Sequence, residues 1–295
     1  MAHKSAVQDV PADGRWHVVR LPVTTDMNGM DVDIHAHVIH KGNGPTLTLL
    51  SGLHGNEWLH LDFFMELHTI LSDTTFQGRV ILIPLANAVA FGSLTRNIQD
   101  DSDSPDANRL FPIGGPVNTG LSEQIAYTLA QEIFPETNYL LDFHLGIWGS
   151  TLGSTIVGID YSDMRVNDES RRLSRAFGVP LIYRAHMQSK FPGPRASQPY
   201  AGEFLKIPCC GSFLGGAGFD SDLEKTWTQG NIQGVLNVMS ELGMQDSPQL
   251  LPERYLVYET IHRLNPKMGG LLQPMNERDS FGREVAAGEL LGKVV

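Results

Sequence analysis

The order of apolar and polar positions predicts strands and helices in alternation along most of the chain. Short apolar runs bounded by turn residues indicate strands, and apolar residues at intervals of three and four indicate helices between them. The predicted strands are 16–22, 30–39, 47–50, 79–84, 139–144, 181–183 and one that opens at 207, and the predicted helices are 58–71, 121–134, 169–177 and 222–242. Strands that alternate with helices favour an α/β domain in which helices cover a mostly parallel sheet on both faces.

The pattern changes in the last part of the chain. Three short strand-like segments are separated by residues rich in Gly, Pro and Asn, at 255–260, 269–272 and 289–295. This spacing predicts a small all-β module. We therefore expect an α/β domain over residues 1–245 and a β module over residues 246–295, which ends on two valines, as an incomplete module would.

Composition excludes several classes of protein. The chain has 295 residues, 41% of them hydrophobic and 19% charged, as is typical of a soluble globular enzyme. Its net charge of -11 argues against nucleic acid as a partner. The two cysteines, Cys209 and Cys210, are adjacent, which excludes a disulfide framework and favours a reducing compartment. No apolar run is long enough to span a membrane, so we expect a cytoplasmic protein, with a homo-oligomer left open.

Histidines follow two of the predicted strands. The strand 47–50 leads into a Gly-containing turn with His54 and Glu57, and the strand 139–144 ends in His144. Imidazole and carboxylate groups are good zinc ligands, and ligands of parallel sheets gather beyond the carboxyl ends of the strands. Two ligands from one turn and a third from another strand predict a zinc site with one position left for water.

The segment 97–116 is a loop rich in Asp, Ser, Pro and Gly. It is too long to be a simple connection between two elements. Because long loops inside compact domains tend to be functional, we expect this loop to contribute to the site.

Three motifs together resemble a known family. They are His54-Gly-Asn-Glu57, Asp106-Ala-Asn108-Arg109-Leu-Phe-Pro112 and Asp142-Phe-His144-Leu-Gly146. They are similar to the zinc-carboxypeptidase-like superfamily, and most similar to its succinylglutamate desuccinylase/aspartoacylase branch. The resemblance covers roughly residues 16–295 and implies a three-layer α/β domain with a central mixed sheet and a C-terminal β module. It also implies hydrolysis of the amide bond of a small N-acyl amino acid or similar carboxylate.

The resemblance implies a metal centre with one Zn²⁺ per chain. Its ligands would be His54, Glu57 and His144. Asp106 would brace the imidazole of His54, which fixes the tautomer and raises the basicity of a ligand. On their own, these histidines could equally be loop or core residues, and Asp142 could either brace a ligand or make a structural hydrogen bond.

The resemblance also implies residues that bind the substrate. Asn108 and Arg109 would hold its free carboxylate, since the planar fork of arginine matches a carboxylate in a bidentate way. Arg96 would polarise the scissile carbonyl. The alternative for Arg109 is an ordinary surface cation of the loop.

One departure from the family concerns the catalytic base. The family places a Glu on a strand between Ile-Pro and Gly-Gly, and here Phe213 stands at that position. Phe can neither take a proton from water nor give one to a leaving nitrogen. Glu203 is the nearest acidic candidate for the base. Otherwise the chemistry is rewired, or hydrolysis is lost and the chain is a zinc-containing binding or regulatory protein.

A second motif offers a different metal site. Asp33-Ile34-His35-Ala36-His37 matches the paired histidines of amidohydrolases, and strand alternation puts His35 and His37 on one side. No turn follows that could open a site. Polar residues on a solvated strand face are therefore the favoured interpretation.

Overall fold

The computed structural model of the chain describes residues 5–26, 28–99, 105–113, 120–145, 154–187, 193–214, 221–260, 267, 269–274 and 284–295. Its strands are β1 (Trp16–Thr25), β2 (Asp31–Lys41), β3 (Thr46–Leu50), β4 (Gly78–Ile83), β5 (Tyr139–Leu145), β6 (Thr155–Asp160), β7 (Leu181–His186), β8 (Cys209–Leu214), β9 (Leu256–Tyr258), β10 (Leu272–Pro274) and β11 (Gly292–Val294). Its helices are α1 (His60–Asp73), α2 (Ala88–Gly92), α3 (Leu121–Glu132), α4 (Met164–Ala176), α5 (Ser197–Pro199) and α6 (Ser221–Glu241).

Nine of these strands form one mixed sheet, in the order β1-β2-β4-β3-β5-β8-β6-β7-β9. The middle strands β4, β3, β5 and β8 run parallel to one another. Strand β2 is antiparallel to both of its neighbours, β1 and β4. Central strands such as β3 are apolar and buried throughout, as parallel strands covered on both faces must be. The predicted α/β class with a large central sheet is confirmed.

Helices pack on both faces of the sheet. Buried residues of α3, such as Ile125 and Leu129, join one apolar core. The opposite face carries a second core, to which α1 contributes Phe63 and Leu67 and α6 contributes Val235. Because side chains alternate along each strand, one strand supplies both cores.

Strand β6 was not predicted from the sequence. This strand lies between β8 and β7, antiparallel to β8, and pairs Thr155 with Phe213. It is short and contains Gly158, which weakens the pattern of a strand. Its direction matters for the site, because it carries the chain away from the edge that holds His144.

The C-terminal segment is only partly as expected. Leu256–Tyr258 pairs with β7 as the outermost strand of the central sheet, so this strand does not belong to a separate module. β10 and β11 form a two-stranded antiparallel sheet. Residues 261–266, 268 and 275–283 lie outside the described residues, and the division into two domains stays a prediction.

In the described part of the chain, no helix is both long enough and apolar enough to cross a membrane. Both cysteines are buried and carry free thiols. Burial is the main reason that the pKa of Cys209 rises to about 12, and burial also raises the pKa of Cys210.

Candidate metal centre

A tight turn after β3 presents His54 and Glu57. Gly52 has a φ of +68°, and a Cβ there would lie 2.6 Å from the Cα of Leu85. Only glycine fits such a conformation at such close approach. Gly55 is equally confined, because a Cβ there would lie 2.0 Å from the backbone of Ala90. The two glycines therefore let the turn fold tightly against the chain that follows β4.

His144 reaches the same place from β5. β3 and β5 are parallel neighbours, with Leu50 opposite Asp142, so their carboxyl ends meet at one edge of the sheet. Alternation puts Asp142 and His144 on one face. Since this edge also carries the turn after β3, three side chains far apart in sequence converge.

The three side chains form one buried group. The Nδ1 atom of His54 lies 2.8 Å from Oε1 of Glu57, and the Nδ1 atom of His144 lies 3.0 Å from Oε2. Relative exposures are 2%, 6% and 3% for His54, Glu57 and His144. One donor atom from each residue lies within 4.8 Å of the others. The group could bind a metal ion.

Carboxylates hold the outer nitrogens of both imidazoles. Nε2 of His54 lies 3.0 Å from Oδ1 of Asp106, and Nε2 of His144 lies 3.1 Å from Oδ2 of Asp142. An Nε2–H that donates to a carboxylate orients the ring so that Nδ1 points toward Glu57, which is the arrangement of metal-ligating histidines. Asp106 lies where the resemblance expects it, and Asp142 holds the second histidine in the same way.

The charges of the group suit a cation. Burial by itself would raise the pKa of the Glu57 carboxyl, but the imidazoles of His54 and His144 hold that pKa well below its ordinary value. Burial also opposes ionisation of Asp106, yet its pKa is lowered by the hydrogen bond from His54. Burial disfavours charge on His144, but the carboxylates of Asp142 and Glu57 raise its pKa to about 10. Glu57 and Asp106 are thus ionised at neutral pH.

The loop residues lie around this group. Asp106 accepts from the backbone N–H of Asn108 at 2.9 Å and so starts a short helical turn. The amide nitrogen of Asn108 lies 3.2 Å from Nε2 of His144, and its oxygen accepts from the backbone N–H of Ser197 at 2.8 Å. Arg109 donates from Nη1 to the carbonyl of Asn108 at 2.6 Å. Asp106 and Asn108, from the described part of the loop, therefore each contact one of the two histidines.

Arg96 also approaches the group. Its Nη2 lies 3.0 Å from Oδ2 of Asp106, and its Nη1 lies 3.6 Å from Oε1 of Glu57. The side chain is 42% exposed, so one side of the guanidinium faces solvent. A solvent-facing cation beside Glu57 can contact a molecule that enters the site.

Phe213, the residue that the sequence places at the family's Glu position, lies beside His144. It is the β8 partner of His144, and the two rings lie 5.2 Å apart between centroids with 31° between their planes. An aromatic ring, which carries no titratable group, thus stands beside the third residue of the group.

The structure does not bring Glu203 to the group. Its carboxylate accepts from the backbone N–H of Ser162 at 2.9 Å and also from the Ser162 hydroxyl, which lowers the pKa of Glu203. Ser162 follows β6, whose first residue pairs with Phe213. Five residues of strand at roughly 3.3 Å each separate Thr155 from Asp160, so the end of β6, which Ser162 follows, lies about 16 Å along the sheet from Phe213.

The paired histidines of β2 do not form a comparable site. His37 lies on a strand beside His68, with 5.7 Å between ring centroids, and His35 is exposed. Within the described ranges, neither belongs to a group of three metal-ligating side chains.

Two features of the site were not predicted from the sequence. The hydroxyl of Ser197 donates to Oδ2 of Asp142, across 55 positions of sequence. His60 is buried beside the group, and burial lowers its pKa to about 4, which keeps its imidazole neutral. The one signal for His60 in the sequence is its position, three residues after Glu57, which itself lies three residues after His54.

Known proteins resemble this chain over most of its length. The family described as succinylglutamate desuccinylase/aspartoacylase catalytic domain matches residues 43–242. N-alpha-acetyl-L-2,4-diaminobutyric acid deacetylase of Halomonas elongata is 28% identical over 261 residues, which are 83% of this chain and 71% of the relative.

Solved structures share the fold. A succinylglutamate desuccinylase/aspartoacylase from Rhodobacter sphaeroides has 23% identity and a TM-score of 0.78, covering 97% of this chain and 86% of that one. The product-bound ectoine utilization protein EutE (DoeB) from Ruegeria pomeroyi has 24% identity and a TM-score of 0.77, covering 97% of this chain and 85% of that one. With the family match over residues 43–242, the chain belongs to the succinylglutamate desuccinylase/aspartoacylase family, whose members are hydrolases of the deacylase and amidohydrolase type.

Proposed function

We propose that the chain is a zinc-dependent deacylase that cleaves the amide bond of an N-acyl amino acid or a similar small carboxylate. The observation that carries the proposal is the buried group of His54, Glu57 and His144, with a carboxylate behind each imidazole. The family and the deacetylase relative support the same chemistry.

The donor set fits zinc, one ion per chain. Two imidazole nitrogens and a carboxylate are the ligands of catalytic zinc sites that keep one position for water. When bound, zinc polarises a substrate carbonyl and lowers the pKa of its water. Asp106 and Asp142 orient both imidazoles, because each accepts the hydrogen bond of the outer ring nitrogen, and a bound zinc would replace any proton on Nδ1.

Arg109 and Arg96 bind different parts of the substrate. Arg109 donates from one nitrogen to the Asn108 carbonyl, which orients its guanidinium. Its other donors remain for the substrate carboxylate. Arg96 stands beside Glu57 and faces solvent, so it can donate to the amide oxygen as negative charge develops there. The side-chain oxygen of Asn108 accepts from the backbone N–H of Ser197, which orients its amide nitrogen to donate to the substrate carboxylate.

The base is not Glu203 in this proposal. Both of its oxygens are engaged by Ser162, at the far edge of the sheet. The ring of Phe213 beside His144 also favours a second candidate function, in which the chain binds the same ligands without hydrolysing them.

Turnover on a panel of N-acyl amino acids, with zinc supplied, separates the two functions. For the deacylase we expect measurable turnover in the wild type, its loss in His144→Ala, and no change in Glu203→Gln. A wild type that binds panel members but releases no acyl group would establish the second function. In that case Phe213→Glu, which restores a carboxylate at the family position, is expected to produce turnover.

A further inference from the structure

A cavity of about 230 Å³ lies between α4 and the strands β6, β7 and β9. It opens on the other face of the sheet from the candidate metal centre. His144 shares a face with Leu140, in the core that contains α3, whereas Gly158 and Asp160 share a face with Ile156, in the core that contains α4 and α6. Because β6 runs antiparallel to β8, the cavity also lies toward the opposite edge.

Three arginines line this cavity. Arg171 and Arg175 are four positions apart on α4 and so project from one side of the helix. Arg184 comes from β7. Oδ1 of Asp160 lies 3.0 Å from Nη2 of Arg171 and 3.5 Å from Nε of Arg184. Two of the three guanidinium groups therefore lie around one carboxylate.

Positive charge is in excess at the cavity. Glu259 lies 3.1 Å from Nη1 of Arg184, so two carboxylates face three guanidinium groups. Arg175 is the group without an acid: its guanidinium lies 5.7 Å from the ring centroid of Tyr255, and among the described residues no carboxylate pairs with it. In a chain of net charge -11, this local excess is a feature that an anion would recognise.

The floor of the cavity is small and apolar. Gly158, the β6 partner of Arg184, has no side chain to occupy the floor. A Cβ there would take up this space, because it would lie 3.2 Å from Oγ of Ser174. Ile182 and Val257 are paired across β7 and β9 and supply the apolar part. A volume of 230 Å³ compares with about 30 Å³ for one water molecule in the liquid, so a small organic or inorganic ion fits.

We propose that this cavity is a second binding site, which takes a small carboxylate or phosphate anion. The donors of Arg175 contact its oxygens, because guanidinium groups match both kinds of oxyanion. Arg184 adds positive charge beside them, although its Nε and Nη1 already face Asp160 and Glu259. The apolar floor accommodates the remainder of a small organic acid. This site is independent of the proposed deacylase chemistry.

Calorimetric titration of the whole chain with inorganic phosphate, and separately with malonate, tests the proposal. We expect the wild type to bind at least one of them, which also identifies the oxyanion. Arg175→Gln should weaken binding roughly tenfold or more, because a charge-assisted contact is lost. Gly158→Ala, which keeps every charge but fills the floor, should weaken it as well.

Two controls locate the anion. Arg172→Gln removes a cation of the same helix that pairs with Glu169 and Glu241 instead, and it should leave binding unchanged. Arg109→Gln removes the proposed carboxylate contact at the metal centre, and it should leave in place the part of the binding that depends on Arg175. The proposal is overturned if the wild type binds neither anion at roughly 10 mM. It is equally overturned if Arg172→Gln weakens binding as much as Arg175→Gln, or if Arg109→Gln abolishes it.

Discussion

Glu57 is the residue around which the candidate metal centre is arranged, since its two oxygens each face the Nδ1 atom of one histidine. The outer nitrogens face Asp106 and Asp142, so both imidazoles lie between two carboxylates. Removal of such an outer carboxylate typically lowers metal affinity or activity by roughly 10- to 100-fold. At this scale, the outer carboxylates orient the two imidazoles and the imidazoles face Glu57.

Substitution of His54 should remove the metal. We expect purified wild type to contain about one zinc per chain and His54→Ala to contain almost none, because two ligands do not hold zinc firmly. Elemental analysis after dialysis measures this content. His35→Ala is the matched control and should keep the wild-type value. Equal zinc in wild type and His54→Ala would exclude His54 as a ligand.

Substitution of Arg109 should affect substrate affinity and leave the metal in place. Arg109→Lys keeps the charge but loses the planar fork, so KM for an N-acyl amino acid should rise roughly tenfold or more. Zinc content should stay at the wild-type level. If KM is unchanged, Arg109 is an ordinary cation of the loop.

At the scale of elements, the strand ends decide which side chains meet. The parallel pairing of β3 with β5 places the turn after β3 beside His144, and the pairing of β5 with β8 places Phe213 there too. The antiparallel β6 then carries the chain to the opposite edge, where Ser162 engages Glu203. A residue near in sequence to β8 can therefore be far from the site.

The turn after β3 should be sensitive to a single methyl group. Gly52→Ala combines a positive φ with a contact of 2.6 Å to the Cα of Leu85, so we expect a loss of roughly 2 kcal/mol or more in the free energy of unfolding. Gly29→Ala also has a positive φ, of +81°, but meets nothing within 4 Å. It should cost only about 1 kcal/mol. Urea denaturation of both variants checks this; equal losses would show that the contact with Leu85 is unimportant.

At the scale of the whole molecule, one sheet separates two apolar cores, and β8 contributes a cysteine to each. Cys209 belongs to the core with α3, and Cys210 belongs to the core with α1, α4 and α6. Both are at most 1% exposed. The two thiols thus report on the packing of both faces.

Neither thiol should react while the chain is folded. The thiolate is the nucleophile, and a pKa of about 12 for Cys209 leaves almost none of it at pH 8. We expect iodoacetamide to modify no cysteine in the native protein and both after unfolding in guanidinium chloride, as counted by mass spectrometry. Rapid modification of the native chain would show that the sheet is more open than described.

Local patterns of the sequence were sufficient for much of the fold. Apolar runs such as 47–50 and helical spacing such as 121–134 depend only on neighbours a few residues away, and β3 and α3 match them closely. β6 was missed because Gly158 interrupts a short run, and β9 was assigned to a separate module because its pairing with β7 is not a local property.

The sequence by itself determined the class of the sheet, the turn that joins His54 to Glu57 and the candidate third member, His144. Only the tertiary structure decided which carboxylate holds His144, where Glu203 lies and that Phe213 stands beside the group. The reason is physical: the contact of Ser197 with Asp142 spans 55 positions and that of Glu203 with Ser162 spans 41. Such contacts depend on the order and direction of β5, β8 and β6, which no window of neighbouring residues contains.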